Sequence, residues 1–231
     1  MMRVFCARSM HVVVTALTKP FLTIGEAAPD VVFEPMGALQ ARLARGETAD
    51  VLILATPAID VLAASGALIA GSRTAIARAA IGVAARDGAT APDIATADAF
   101  VNALKTARTI ALSDPAVGGS AGIYLRDLFG RIGLAETIAA KTTAHGSGVA
   151  AADAVGRGEA DLAMTFIPEL LQGKGVRILG PLPPPYDHAT AYAAAVSAHS
   201  RLRDAARAFI AMLKARDAAA AWTAAGFEAA L

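Results

Sequence analysis

Short apolar runs alternate with amphipathic segments along most of the chain. Residues 51–55, VLILA, are apolar throughout and too short for a helix, which is typical of a buried strand. Segments with helical spacing follow such runs and are bounded by Gly, Pro, Ser or Thr. We predict strands at residues 2–6, 31–35, 51–55, 76–85, 109–113, 138–144, 161–166, 176–179 and 189–197. We predict helices at residues 9–24, 37–45, 57–65, 95–106, 120–132, 147–157, 167–172, 200–214 and 216–225. This alternation favours an α/β fold with mostly parallel sheets flanked by helices.

One motif occurs twice, as RGETADVLILATP at residues 45–57 and as RGEADLAMTFIP at residues 157–168. A predicted strand and helix precede each copy, so each copy completes a strand–helix–strand unit. The glycine of each copy is expected to end the helix, because glycine adopts the left-handed conformation without strain. Two such units of the same order indicate two similar lobes, each with its own small sheet.

The lobe boundaries follow from the order of the elements. We predict lobe I at residues 1–82 plus 188–231 and lobe II at residues 83–187, with the C-terminal helices returning to lobe I. Leu202, Ala206, Phe209, Ile210 and Leu213 have helical spacing and are expected in its core. The triple proline at 183–185 is either a stiff connector between the lobes or a surface loop.

Composition narrows the class of function. Of the 231 residues, 55% are hydrophobic, which is enough for a substantial core. A net charge of +1 gives no electrostatic reason to bind nucleic acid or a membrane surface. Cys6 is the single cysteine, so an internal disulfide and a cysteine cluster for zinc are excluded. We expect this thiol to be buried and inert. We predict no cofactor, no metal ion and no membrane insertion.

The N-terminal stretch bears on where the protein works. Arg3 and Arg8, with MHVVVTALT, imitate the charged and apolar parts of a signal peptide, but Lys19 and Pro20 follow without a small-residue cleavage site. A strand that turns at Arg8 into a helix explains the stretch better. We therefore predict a cytoplasmic protein as the chain is written, and a periplasmic one if an upstream signal was removed.

Four loops follow predicted strands and carry the candidate chemistry: CARSMH, LATPAID, SDPAVGGSAGIY, and AHGSGV with its neighbour TFIPE. In open α/β sheets, ligands bind beyond the carboxyl ends of the strands. Ser9, Thr56, Ser120 and Ser147 open the following helices, and each is expected to cap one. Helix N-termini, hydroxyls and glycines together predict an anion site without a lysine.

Two further features of these loops matter. Gly118, Gly119, Gly122, Gly146 and Gly148 let the backbone approach a ligand closely. Arg8 is either a bidentate partner for a carboxylate or an ordinary surface ion pair. The chain contains neither the phosphate-binding P-loop pattern nor a dinucleotide-binding glycine pattern.

The order of these motifs resembles the molybdate-binding-type solute-binding proteins of ABC transporters, which have the type II periplasmic-binding-protein fold. The resemblance covers nearly the whole chain, and its best motifs are Asp114-Pro115 with Gly122-Ile123-Tyr124, and Gly-Glu-Ala-Asp before a strand. It implies two lobes with a cleft between them that closes on a small anion by a hinge. An ABC permease is the implied partner if the protein is exported.

The same resemblance implies a set of ligand contacts. By position it places Ser9, Thr56, Ala121 and Val149 around the ligand and Phe166 after the last cleft strand. With the loop residues above, the predicted ligand-binding set is Arg8, Ser9, Thr56, Gly119, Ser120, Ala121, Ser147, Gly148, Val149 and Phe166.

This chain departs from the molybdate-binding pattern at the site. Thr56 stands where members commonly have Ser, Phe166 stands where they tend to have Tyr, and Arg8 replaces a small residue. The change at Phe166 removes a donor to an oxyanion. A small organic carboxylate therefore suits the predicted site at least as well as molybdate or tungstate.

The sequence supports two hypotheses for the function, one as a binding protein and one as an enzyme. The first is a receptor for a small anion that performs no chemistry. The second is an enzyme, because the wider resemblance includes proteins that isomerise aconitate. Moving a proton next to a carboxylate requires a base. Candidates for that base are His145, Tyr124 and Glu169. Alternatively, His145 has no catalytic role and is a loop residue that caps the end of a strand.

Overall fold

A computed structural model describes residues 1–21, 28–117 and 119–230. The end of the helix predicted at residues 9–24, and the predicted ligand-loop residue Gly118, lie outside the described residues. Contacts divide the chain into two units, Met1–Arg78 with Thr190–Leu231 and Ala79–Ala189.

Unit 1 has a small sheet centred on its first strand. Its elements are β1 (Arg3–Ala7), a 3₁₀ turn (Arg8–Met10), α1 (His11–Phe21), β2 (Asp30–Glu34), α2 (Met36–Ala44), β3 (Val51–Ala55), α3 (Thr56–Ala64), the start of β4 (Thr74–Arg86), most of β9 (Ala189–Val196), α9 (Arg203–Leu213), α10 (Ala218–Ala224) and β10 (Glu228–Ala229). β1 pairs in parallel with β2 and β3, and β9 pairs antiparallel with β3. β10 pairs antiparallel with the start of β4.

Unit 2 repeats this plan around β5. Its elements are the rest of β4, α4 (Ala97–Thr106), β5 (Ile110–Ser113), a 3₁₀ turn (Pro115–Val117), α5 (Ser120–Arg131), α6 (Ala135–Ala139), β6 (Thr142–His145), α7 (Gly148–Gly156), β7 (Leu162–Phe166), α8 (Ile167–Leu170) and β8 (Val176–Pro181). β5 pairs in parallel with β6 and β7, while β4 pairs antiparallel with β7 and β8. The predicted α/β class is confirmed.

Both copies of the repeated motif end a helix in the same way. The glycine is left-handed in each, with φ of +83° at Gly46 and +80° at Gly158. The N–H of each glycine and of the glutamate after it donate to carbonyls in the last turn of the helix, which is the Schellman closure. The N···O distances are 3.0 and 3.1 Å for Gly46 and Glu47, and 2.9 Å for both Gly158 and Glu159. The predicted role of the two glycines is confirmed.

The aspartate of each copy then fixes the start of parallel strand pairing. The carboxylate of Asp50 accepts the N–H of Arg3 at 2.8 Å, and the N–H of Asp50 donates to the Arg3 carbonyl at 2.7 Å. The carboxylate of Asp161 accepts the N–H of Arg108 at 2.7 Å, and the N–H of Asp161 donates to the Thr109 carbonyl at 2.9 Å. Since β1 pairs with β3 and β5 with β7, the same corner begins the parallel pairing in both units.

The two units fill their cores with side chains of different size. A core cluster in unit 1 contains Phe5, Leu52, Leu54 and Ile59, together with Leu39 from α2. A core cluster in unit 2 consists mostly of alanines, contributed by α7 and by the strands beneath it. Small side chains let α7 approach its sheet closely, because little volume separates the two backbones.

The C-terminal helices and Cys6 mostly agree with the predictions made from the sequence. Ala206, Phe209, Ile210 and Leu213 are buried in α9 as predicted. The prediction for Leu202 is wrong: this residue is the N-cap of α9 and is 40% exposed, because the helix begins one residue later. Cys6 is fully buried, and burial raises the pKa of its thiol well above the usual range.

One predicted strand is wrong at its start. Residues 135–139 form the helix α6, and strand β6 begins only at Thr142. Alanine and glutamate in AETIA favour a helix, and the β-branched Thr142 and Thr143 favour a strand. Lys141 lies between the two elements, where its ammonium donates to the carbonyls of Lys105 and Ala107 at 2.8 and 2.7 Å. The apolar run that suggested one long strand therefore divides between two elements.

None of the helices in the described parts of the chain has the length and apolar character needed to cross a bilayer.

We expect Gly158→Ala to lower the free energy of unfolding by about 1 kcal/mol or more, because an L side chain is strained in the left-handed conformation. Gly46→Ala should behave alike. Chemical denaturation measures the effect. Gly130→Ala is the matched control, because Gly130 lies in α5, is not left-handed, and has open space where a Cβ would stand. Equal stability of Gly158→Ala and Gly130→Ala would contradict the role assigned to the repeated glycine.

Candidate functional site

In unit 1, a buried hydroxyl pair links two strand ends. The chain leaves β1 directly into the 3₁₀ turn, where Ser9 is only 7% exposed. Its Oγ donates to the hydroxyl of Tyr192 at 3.2 Å. Tyr192 on β9 pairs with Ala55, the last residue of β3. The carboxyl ends of β1 and β3 are thereby tied together, and nothing in the sequence pattern singles out Tyr192 for this role.

The helix N-termini that follow β1 and β3 have no side-chain cap. The N-cap residues are Ala7 and Ala55, and neither helix has an acidic residue in its first turn. The predicted caps Ser9 and Thr56 are wrong, because each strand runs straight into its helix and the N-cap position falls one or two residues earlier. The first backbone N–H groups of these helices therefore lack a side-chain acceptor.

Arg8 is exposed next to this edge. Its charge adds a small contribution to lowering the pKa of Glu34, after the dominant hydrogen bond from Arg42. Arg42 holds Glu34 in a bidentate pair at 2.8 and 2.6 Å. Within the described residues Arg8 itself forms no ion pair, so its role in ligand binding stays a prediction.

In unit 2, the strand ends again lead into an uncapped helix. Gly119 is the N-cap of α5, which has neither a side-chain cap nor an acidic first-turn residue, so the predicted cap Ser120 is wrong. Gly122 packs against the backbone of Ser113, where a Cβ would collide with the Ser113 carbonyl. The carboxylate of Asp114 accepts the N–H of Ala116 at 2.8 Å. The Asp-Pro…Gly-Ile-Tyr motif is thus a compact turn that places the start of α5 over the end of β5.

The start of α7 differs from the other three helix starts. Ser147 caps it, as predicted, by accepting the N–H of Ala150 at 3.1 Å. Gly148 lies against Thr165 and Glu169, and a Cβ on Gly148 would overlap both side chains. Thr165 donates its hydroxyl hydrogen to Glu169 at 2.5 Å, and Glu169 is only 8% exposed. A buried carboxylate therefore lies at a helix N-terminus, where the helix dipole stabilises it.

The remaining predicted ligand residues differ in accessibility. Ala121 and Phe166 are buried, at 1% and 4% exposure, while Val149 in the first turn of α7 is half-buried. Phe166 lies on β7 opposite Ile81. Its predicted contact with the ligand stays a prediction, as do those of the other residues of the set.

Two candidate bases have partners within unit 2. The hydroxyl of Tyr124 donates to the Tyr186 carbonyl at 3.0 Å, and its ring stacks on His188 at 4.0 Å. Burial lowers the pKa of His188, with a further contribution from Arg131. His145 ends β6, pairs in register with Ser113, and its Nε2 lies 3.1 Å from the Thr143 hydroxyl. The residues that the structure describes contain no group of three or more His, Cys, Asp or Glu that could hold a metal ion.

Comparison with known proteins identifies the class. Residues 2–228 match the family of bacterial extracellular solute-binding proteins, and the chain belongs to this family. The resemblance read from the sequence is thereby confirmed.

Individual relatives add detail. An aconitate isomerase from a Pseudomonas species is 38% identical over 196 residues, which cover 84% of this chain and 72% of the relative. The fold is similar to the periplasmic molybdate-binding protein of Azotobacter vinelandii, with a TM-score of 0.75 and 21% identity over 98% of both chains. It is also similar to a sulfate-binding protein of Mycobacterium tuberculosis, with a TM-score of 0.75, 17% identity and coverage of 99% and 86%. At these identities the two solved structures show a shared fold.

We expect Gly148→Ala to lower the free energy of unfolding by about 1–3 kcal/mol, the usual cost of overpacking, because its Cβ would displace Thr165 and Glu169. Thermal or chemical denaturation measures the loss. Gly146→Ala is the control two residues away, because a Cβ there meets no atom within 4 Å. If both variants were as stable as the wild type, α7 would not be packed against the buried carboxylate as described.

Proposed function

We propose that the protein is a receptor of the solute-binding type for a small organic anion with more than one carboxylate. The observations that carry this proposal are the uncapped N-terminus of α3 at the end of β3 in unit 1 and the uncapped N-terminus of α5 at the end of β5 in unit 2. Each offers free backbone N–H groups and a partial positive charge, without a neighbouring acid in the first turn. An anion is the ligand chemistry that completes such helix ends.

Two observations support a carboxylate over molybdate, tungstate or sulfate. Phe166 stands where the molybdate-binding resemblance implies a Tyr, so the hydroxyl donor expected for molybdate is missing. The relative at 38% identity is named for its action on aconitate, a tricarboxylate, whereas the oxyanion-binding structures share only 17–21% of residues. Closer sequence similarity makes conserved ligand chemistry the better supported assignment.

The partner and location follow from the family and belong to the same proposal. Solute-binding proteins of ABC transporters deliver their ligand to a permease, so an ABC permease is the proposed partner. The description of the family as extracellular favours the periplasmic alternative over the cytoplasmic one. Closure by a hinge and the lobe boundaries 1–82 plus 188–231 and 83–187 stay predictions.

A thermal-shift panel tests the ligand class. We expect citrate and trans-aconitate to raise the melting temperature, and molybdate, tungstate and sulfate to leave it unchanged at equal ionic strength. Binding adds stability by mass action, about 2.7 kcal/mol at a ligand concentration of one hundred times Kd. Arg8→Ala should weaken carboxylate binding, while Arg207→Ala, which changes an exposed arginine on α9, should not. Stabilisation by the tetrahedral oxyanions alone would refute the carboxylate assignment.

A second candidate function is isomerisation of a tricarboxylate such as aconitate. Glu169, held by Thr165 in a buried position at the start of α7, favours it, because a buried carboxylate next to an anion site is suited to proton transfer. The reaction takes a proton from the methylene carbon, moves the double bond by one carbon, and returns a proton at the far end of the former double bond. His145 is the other candidate base at these strand ends.

Proton NMR of trans-aconitate in D₂O decides between receptor and enzyme. If the protein is an isomerase, deuterium enters the methylene position and cis-aconitate accumulates. Glu169→Gln should then reduce the rate by about a hundredfold to ten-thousandfold, the usual contribution of a general base. His145→Gln is the comparison variant and should change the rate much less. An unchanged spectrum after prolonged incubation, with binding intact, would leave the receptor function alone.

A further inference from the structure

The hydroxyl of Ser113 is buried and has no hydrogen-bond partner among the described residues. Ser113 is only 6% exposed, so water has little access to satisfy it. Native proteins rarely leave a buried hydroxyl in this state, since its lost hydration is uncompensated. Such a hydroxyl indicates that a bound ligand supplies its hydrogen-bond partner.

The position of Ser113 places this hydroxyl beside the start of α5. Ser113 ends β5, the central strand of the parallel set in unit 2. Its Oγ would lie 3.3 Å from a Cβ on Gly119, the N-cap residue of α5. The first N–H groups of this helix, which has twelve residues, lack a side-chain acceptor. One hydroxyl donor and a group of backbone donors therefore lie next to each other.

The neighbouring hydroxyls, in contrast, already form hydrogen bonds within unit 2. Thr165 occupies the next strand at the level of Ser113 and donates to Glu169. Ser147 accepts the N–H of Ala150 as the cap of α7. Ser113 is thus the buried hydroxyl at these strand ends whose hydrogen bond is still to be made, within the described part of unit 2.

We propose that Ser113 is a ligand-binding residue whose hydroxyl donates to a carboxylate oxygen of the bound anion, beside the first N–H groups of α5. This assignment rests on the proposed function. A carboxylate has two oxygens in one plane, so one can accept from the Ser113 hydroxyl while the other accepts from the helix N-terminus. Ser113 thereby adds a side-chain donor on the strand to the backbone donors of the helix.

The test is Ser113→Ala, with two measurements on each protein. Without ligand, the denaturation midpoint should be unchanged or slightly higher, because an unpartnered hydroxyl is removed. With citrate and with trans-aconitate, calorimetry should show a Kd about tenfold to a hundredfold higher, corresponding to a lost hydrogen bond to a charged group. Thr96→Ala is the matched control: Thr96 caps α4 by accepting the N–H of Ala99, so its loss should lower stability and leave Kd unchanged.

Each outcome decides the proposal. A Kd equal to that of the wild type would overturn it. A ligand-free midpoint lowered as far as in Thr96→Ala would also overturn it, by showing that the hydroxyl already has a structural partner. If the wild type binds neither citrate nor trans-aconitate, the proposed function fails and the role of Ser113 fails with it. A raised Kd with an undiminished midpoint supports the proposal.

Discussion

The structure depends on one corner that is built twice: a left-handed glycine followed, after a short turn, by an aspartate that binds the backbone of a neighbouring strand. The glycine ends the helix, and the carboxylate accepts the N–H of the first residue of β1 in unit 1, or of Arg108, two residues before β5, in unit 2. A one-residue slip in either strand would move the side chains of that strand to the opposite face of the sheet. Because the corner fixes the register at the amino ends, the row of residues at the carboxyl ends is fixed as well. Within each unit, the residues at the carboxyl ends of the strands therefore take their geometry from contacts at the opposite end of that unit's sheet.

Small residues then set how closely helices approach those carboxyl ends. Gly122 touches the backbone of Ser113, and Gly148 touches Thr165 and Glu169. Both contacts depend on the absence of a Cβ, since a methyl group would have to occupy space already filled. Close approach places the N–H groups of α5 beside the end of β5 and encloses the carboxylate of Glu169. The alanine-rich core under α7 extends the same principle along the helix.

Much of the fold could be predicted from the sequence, because apolar periodicity and turn residues record burial directly. Helix ends at Gly46 and Gly158 followed from the conformational freedom of glycine. The caps at Ser9, Thr56 and Ser120 could not be predicted correctly, since a cap depends on where the strand stops, and a shift of one residue changes the role of each hydroxyl. Helix α6 was hidden because an alanine-rich segment is equally apolar in either conformation.

The site was only partly predictable for a related reason. The loops of the candidate site could be predicted, because ligands bind beyond the carboxyl ends of the strands in open α/β sheets. The hydrogen-bond partners of the loop residues could not, because they are distant in sequence. Tyr192 reaches Ser9 from a strand 183 positions away, and no local pattern announces that contact. In the sequence, Ser113 is an ordinary strand residue, and only the structure shows that its hydroxyl has no hydrogen-bond partner among the described residues. Whether a buried polar group forms a hydrogen bond depends on the folded residues around it.

The discontinuity of unit 1 has a consequence for how the protein forms during synthesis. Strand β3 needs β9 as its antiparallel neighbour, and β9 is made only after all of the residues that constitute unit 2. While the ribosome translates those residues, β3 therefore has a free edge, with an apolar sequence of the kind that invites pairing with other chains. Unit 2, by contrast, is continuous in sequence and has all of its strands available as soon as Ala189 has emerged. The nascent chain therefore has to keep its first third from aggregating until its last fifth has been made.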